Sequence, residues 1–173
     1  MFRIEMLPAG HGDGLLIVYG DPAAPCHVLI DGGPFYAYHN NQFVEQPTLS
    51  RRMRRLIDEG GALELMVITH IDADHIESPV KLLGGRPDLV IEDIWFNAWQ
   101  HLQPHADLPL GALQGEMLSA LISQQKLPWN AAFKGGAVAL KDEEPLPQVT
   151  LPGGLRLTLL SPGVSALAAL SRL

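Results

Sequence analysis

Cysteine is almost absent: Cys26 stands alone in 173 residues, so no internal disulfide can staple the fold, as in a reducing compartment. Its expected place is that of a small buried residue. Long apolar runs are missing too. None approaches the ~20 residues that a membrane-spanning helix needs, so membrane insertion is not expected. The opening, "MFRIEML", has neither a basic start with a long apolar stretch nor a small-residue cleavage site, and the cytoplasm is the expected location. Basic charge is scarce as well. With 12 Lys and Arg against 19 Asp and Glu, the net charge of −7 argues against a surface built to grip nucleic acid by counterion release. The one basic cluster, "RRMRR" at 51–55, reads as a solvated helix face, because Leu49, Met53, Leu56 and Ile57 recur at i, i+4, i+7 and i+8 on the other side. The alternative for these arginines is a phosphate-binding role.

What remains is a globular composition, 47% hydrophobic and 18% charged, long enough for a single domain over 1–173. "FRIEML", "GLLIVYG" and "CHVLIDGG" predict three short strands separated by Gly, Asp and Pro turn signals. Residues 34–48 read as a surface loop, and a helix over about 48–59 is stopped by "DEGG". "LELMVITH" at 63–70 is nearly all apolar, as in a strand covered on both faces. Ser78 is positioned to cap a short helix with Pro79 first in it, and "DLVIEDIWFNAW" predicts a further strand. Leu113, Met117, Leu121 and Ile122 fall on one face of a helix over 111–125 and are expected in the core. "QVTLPGGLRLTLLSP" predicts a hairpin turning at "PGG", followed by an amphipathic helix in "VSALAALSRL". A layered arrangement follows, a mixed sheet with flanking helices.

The densest chemistry lies in "THIDADHIE", residues 69–77. His70, Asp72 and Asp74 alternate and His75 follows at once, just past an expected strand end. Such a loop can aim several side chains at one point, and imidazole nitrogen with carboxylate oxygen is the ligand set of Zn²⁺, Mn²⁺ or Fe²⁺. The competing reading is a polar turn in which an Asp bonds local backbone.

His70-x-Asp72-x-Asp74-His75 resembles the His-x-His-x-Asp-His signature of the metallo-β-lactamase superfamily, with Asp72 in the place of the second histidine. That variant is similar to the hydrolase domains of competence-type DNA-uptake proteins and their free-standing relatives. "GHGDGLLIV" (10–18) resembles the opening Gly-x-Gly-Asp element of that branch, and "VLIDGG" (28–33) its Asp-Gly-Gly turn after a strand. The resemblance covers about the first hundred residues well and the rest loosely. It implies an α+β fold, the αββα sandwich of that superfamily. It also implies one or two divalent ions, Zn²⁺ or Mn²⁺, with His70 and Asp72 binding one and Asp74 and His75 a second. Asp74 would also orient or deprotonate the water, while Asp31 and Asp13 would support the ligands from outside. A carboxylate at Asp72 hardens the site and shifts its preference toward Mn²⁺. Glu77 is either an outer partner of the motif or a solvated helix-start residue.

Complete members of the superfamily have a second half that supplies a further His, a metal-bridging Asp and a last His. After His75 the remaining histidines are His101 and His105, of which His101 is the candidate extra ligand. The chain thus resembles the N-terminal half of such a hydrolase, an incomplete sandwich whose apolar surface a missing C-terminal half or a second copy would cover. The expected function is metal-dependent hydrolysis of a phosphoester-like bond. The alternative is a non-catalytic, truncated or split half acting as a binding or regulatory subunit.

Overall fold

Turn residues cut the first part of the chain into alternating runs, and each becomes a strand: β1 (Phe2–Met6), β2 (Gly14–Asp21) and β3 (Ala24–Asp31). They form an antiparallel meander in which Ile4 lies opposite Ile17 and Leu16 opposite Leu29. The computed structural model describes residues 1–38, 48–85, 87–102, 113–142 and 144–170. Most of the expected loop at 34–48, and His105, lie outside these; residues 35–37 form one 3-10 turn.

Beyond β3 the sheet grows by parallel addition. The apolar run expected as one strand divides into β4 (Ala62–Leu63) and β5 (Leu65–Val67), and the next divides likewise into β6 (Val90–Ile91) and β7 (Ile94–Trp95). β5 and β7 extend the main sheet in the order β1-β2-β3-β5-β7, while β4 and β6 pair separately. Acidic side chains hold both breaks. The Glu64 carboxylate accepts the His27 amide, and the buried Asp93 carboxylate accepts N–H groups from Ile94, Ala131 and Ala132 and the Trp95 indole.

Helices cover one face of this sheet. α1 (Leu49–Asp58), α2 (Ala73–Gly84) and, beyond the short α3 (Trp99–Leu102), α4 (Leu113–Gln125) enclose a core that includes Leu16, Leu29, Met53, Met66, Ile76 and Leu118. The opposite face carries Tyr19, Val28, Leu65 and Trp95 against Val138, Leu151 and a hairpin of β8 (Gln148–Thr150) and β9 (Arg156–Thr158); α5 (Val164–Leu170) follows. The hairpin turn at Pro152–Gly154 packs over Cys26, which is half-buried rather than buried. The fold is therefore mixed α+β, a five-stranded mixed sheet with flanking helices. Among the described residues no helix is long and apolar enough to cross a membrane.

Three expectations are corrected by long-range packing. Ile122 is buried and Leu121 packs against the core as expected, but Leu113 and Met117 are exposed, and α4 turns Gly115 and Leu118 inward in their place. The cause is closeness: a Cβ at Gly115 would stand 3.2 Å from Ile71 Cγ2, so this face is the one that fits. Arg52 does not share the solvated face of Arg51, Arg54 and Arg55, because it is buried with its Nε 2.8 Å from the Glu5 carboxylate. Ser78 and Pro79 lie inside α2, which begins in the motif itself with Asp72 at its N-cap.

Candidate metal centre

β3, β5 and β7 run parallel, so their carboxyl ends share one edge of the sheet, the edge where ligands bind in open sheets of this kind. Asp31 ends β3, the 70–75 motif follows β5, and His101 follows β7. Asp72 occupies the N-cap of α2 without making a side-chain capping bond, and Asp74 sits in the first turn. Carboxylates are stabilised there by the positive end of the helix dipole.

Pro79 joins the motif to the Asp-Gly-Gly turn. A proline inside a helix has no N–H for the carbonyl four residues before it, here His75. Gly32 N–H fills that gap at 3.1 Å, while Ser78 N–H turns away to the Gly33 carbonyl at 3.0 Å. The Ser78 hydroxyl donates to the Pro34 carbonyl at 2.7 Å. The Asp74 carbonyl is approached in turn by Gly12, where a Cβ would lie 1.7 Å from that oxygen. Only glycine fits at 12, which brings the "GHGDG" loop directly against the motif.

Asp31 organises the side chains. It is 2% exposed and holds a left-handed φ of 54°, which turns its carboxylate beneath the loop. Oδ1 accepts Thr69 N–H at 2.9 Å and Oδ2 accepts the Thr69 hydroxyl at 2.6 Å. Oδ2 also lies 3.0 Å from His75 Nδ1, which must carry the proton because a carboxylate only accepts. With its own hydrogen given to Asp31, Thr69 Oγ1 accepts from His70 Nδ1 at 2.8 Å. Both imidazoles therefore hold a proton on Nδ1, and in the neutral ring Nε2 is the nitrogen that carries the lone pair.

Those two Nε2 atoms face carboxylates. His70 Nε2 is 3.5 Å from Asp72 Oδ2, His75 Nε2 is 3.7 Å from Asp74 Oδ2, and the rings are 3.9 Å apart between centroids. The donors fit a divalent cation in kind: two imidazole lone pairs and two carboxylates, with each ring oriented through its other nitrogen. They stand as two His–Asp pairs; among the described residues no three such side chains are gathered about a single point.

The other expected residues take different places. Asp13 is exposed at the rim, its Oδ2 4.0 Å from His75 Nδ1, so it flanks the histidine that Asp31 holds. Glu77 accepts Phe35 N–H at 2.8 Å and steadies the turn after Asp-Gly-Gly-Pro. His101 is engaged by Ala98 N–H on Nδ1 at 3.0 Å and packs edge-on to Trp129 at 4.8 Å. Burial lowers its pKa, opposed by backbone groups of Ala98 and Gly135. These contacts tie His101 to the start of α3 and to Trp129. One rim feature went unread in the sequence: exposed His11, beside Gly12, shares a 2.9 Å hydrogen bond between its Nδ1 and the Tyr36 hydroxyl. Its position within "GHGDG" was the available signal.

No protein-family model matches the chain, and no curated protein is similar to it.

Proposed function

We propose that this protein is a metal-dependent hydrolase of metallo-β-lactamase-like ancestry that works in the cytoplasm on a phosphoester or similar bond. The observation that carries the reading is the buried Asp31 carboxylate, which with Thr69 sets both His70 and His75 in the Nδ1–H tautomer and leaves both Nε2 lone pairs toward Asp72 and Asp74. Orientation of a ring through its other nitrogen is what metal-ligating histidines use, and here it occurs twice in one loop. His70, Asp72, Asp74 and His75 would hold Zn²⁺ or Mn²⁺, the carboxylate-rich set leaning toward Mn²⁺. A bound divalent cation supplies an acidified water and charge stabilisation for the leaving oxygen. Asp74, half-buried at the start of α2, is the side chain placed to take the proton of an attacking water. Asp31 positions; it does not react. The phosphoester assignment rests on the motif's resemblance, and the lone Cys26 agrees with a reducing compartment.

The test is metal content and turnover of the purified chain. Bound Mn²⁺ or Zn²⁺ together with hydrolysis of bis-p-nitrophenyl phosphate is expected, and Asp74→Ala should abolish the turnover. A folded chain that neither binds these ions nor turns over would overturn the reading.

A further inference from the structure

We propose that β1 is a dimerisation edge, at which two copies of this chain join their five-stranded sheets by antiparallel β1–β1 pairing centred on Ile4. β1 is the outermost strand of the sheet, and among the described residues nothing pairs with its outer side. Toward β2, Gly20 N–H donates to the Met1 carbonyl at 3.1 Å and Leu7 N–H to the Gly14 carbonyl at 2.8 Å. Antiparallel ladders alternate, so Arg3 and Glu5 also bond inward, opposite Val18 and Leu16. The N–H and C=O groups of Phe2, Ile4 and Met6 therefore point outward, without a strand partner among the described residues. Natural sheets blunt such an edge with charged side chains, Pro, a bulge or a covering segment. "FRIEM" has neither Pro nor a bulge, its two charges Arg3 and Glu5 lie on the α1 face, and on the other face it exposes Phe2, Ile4 and Met6 by 62%, 54% and 81%.

The strand is complementary to itself. With Ile4 opposite its own copy, Phe2 faces the second copy's Met6, and these outward-pointing pairs each exchange both backbone bonds. On the other face of the strand, toward α1, Glu5 is bound by Arg3 of its own strand at 2.6 Å and by Arg52 at 2.8 Å, and the pairing brings this Arg3–Glu5 pair against its copy, Arg3 opposite the second copy's Glu5 and Glu5 opposite its Arg3. Opposite charges directly across a strand pair are favourable, and like charges are not. A one-residue slip would turn the apolar side chains to opposite faces. One two-fold register thus satisfies the backbone and the apolar row and sets opposite charges, already paired within each chain, across from one another, as an isologous interface allows. This commits the edge to a second copy rather than to a strand from another protein. The proposal is independent of the metal chemistry, and the metal-free chain is expected to pair as well.

A single strand pair is at the small end of specific interfaces, so a Kd of order 10 µM is expected. Sedimentation equilibrium of the full chain from about 1 to 200 µM should show a mass rising from 18.8 kDa toward twice that value. Ile4→Lys, which sets two ammonium groups together at the axis, and Arg3→Glu, which opposes carboxylates, should each weaken association at least tenfold with unchanged circular dichroism. Ile4→Cys should cross-link under mild oxidation, because paired Cα atoms about 5.5 Å apart are within disulfide reach; the wild type with Cys26 is the control. A mass of 18.8 kDa at every concentration overturns the proposal, as would be seen if a different chain occupies the edge. So does a dimer that survives both substitutions and does not cross-link at position 4.

Discussion

Gly32 N–H donates to the His75 carbonyl at 3.1 Å, the acceptor that Pro79 leaves open in α2. The turn that ends β3 and the first turn of the motif helix are therefore bonded into one body, and the 70–75 loop is tied to the sheet. Gly32 is held to this role by space: a Cβ would meet Pro79 Cδ at 2.6 Å and Leu49 Cδ2 at 2.8 Å. Gly32→Ala is expected to destabilise the protein by about 1–3 kcal/mol through overpacking. It should weaken metal binding in parallel, since relief of the clash pushes α2 off the turn. Urea denaturation and metal titration of the same variant check both. An unchanged urea midpoint would show that α2 and the turn are not in contact as described.

Asp31→Asn separates orientation from ligation. The amide keeps one acceptor for Thr69 N–H, but its NH₂ meets Thr69 Oγ1 and His75 Nδ1, where only acceptors can now stand. His75 must then shift its proton to Nε2, the nitrogen that faces Asp74. Apparent Mn²⁺ or Zn²⁺ affinity is expected to fall about 10–100-fold while the fold persists. Calorimetric metal titration gives the affinity, and the imidazole ¹⁵N shifts of His75 report the tautomer. Unchanged shifts with unchanged affinity would remove Asp31 from the site.

Local patterns were legible wherever the physics that decides them is local. Turn residues and alternation gave β1, β2, β3 and the β8–β9 hairpin, and an apolar stripe gave α1. Ser78-Pro79 has the local form of a helix start, but the groups that let the helix run through it are Gly32 and Gly33, which are distant in sequence. The stripe of Leu113, Met117, Leu121 and Ile122 has helical periodicity, and its second half is where the core lies. Leu113 and Met117 lose their place to Gly115 and Leu118 because Ile71 comes close to the helix at Gly115. Arg52 reads as one of four solvated arginines until Glu5 comes across to it. In the site, the ligand-type residues were visible as a dense patch at 70–75. The pairing of each His with an Asp, and the bonds by which Asp31 sets His75 directly and His70 through Thr69, depend on side-chain placement that spacing does not encode.

Stability is expected to respond to pH through His27, which is buried with no partner at Nδ1. Desolvation lowers its pKa below 6.5, helped by the Arg52 charge and opposed by Glu64, the Ala62 backbone and Glu5. In the unfolded chain a histidine titrates near 6.5, so below that pH the unfolded state takes up the proton that the native state resists. Stability is thus full above about pH 6.5 and declines as pH falls through the depressed native value; His101, lowered by burial as well, adds in the same direction. Glu5 acts in a lower window. Burial raises its carboxyl pKa, but Arg52 and Arg3 outweigh this and hold it below 4.5, so its contribution persists until the pH drops beneath that value. The thermal midpoint of the wild type should therefore fall between about pH 7 and 5.5, and that of His27→Gln should fall less over the same interval, whatever its absolute stability. Below about pH 4.5 both should decline together as Glu5 is protonated. Parallel curves between pH 7 and 5.5 would show that His27 titrates alike in the folded and unfolded chain.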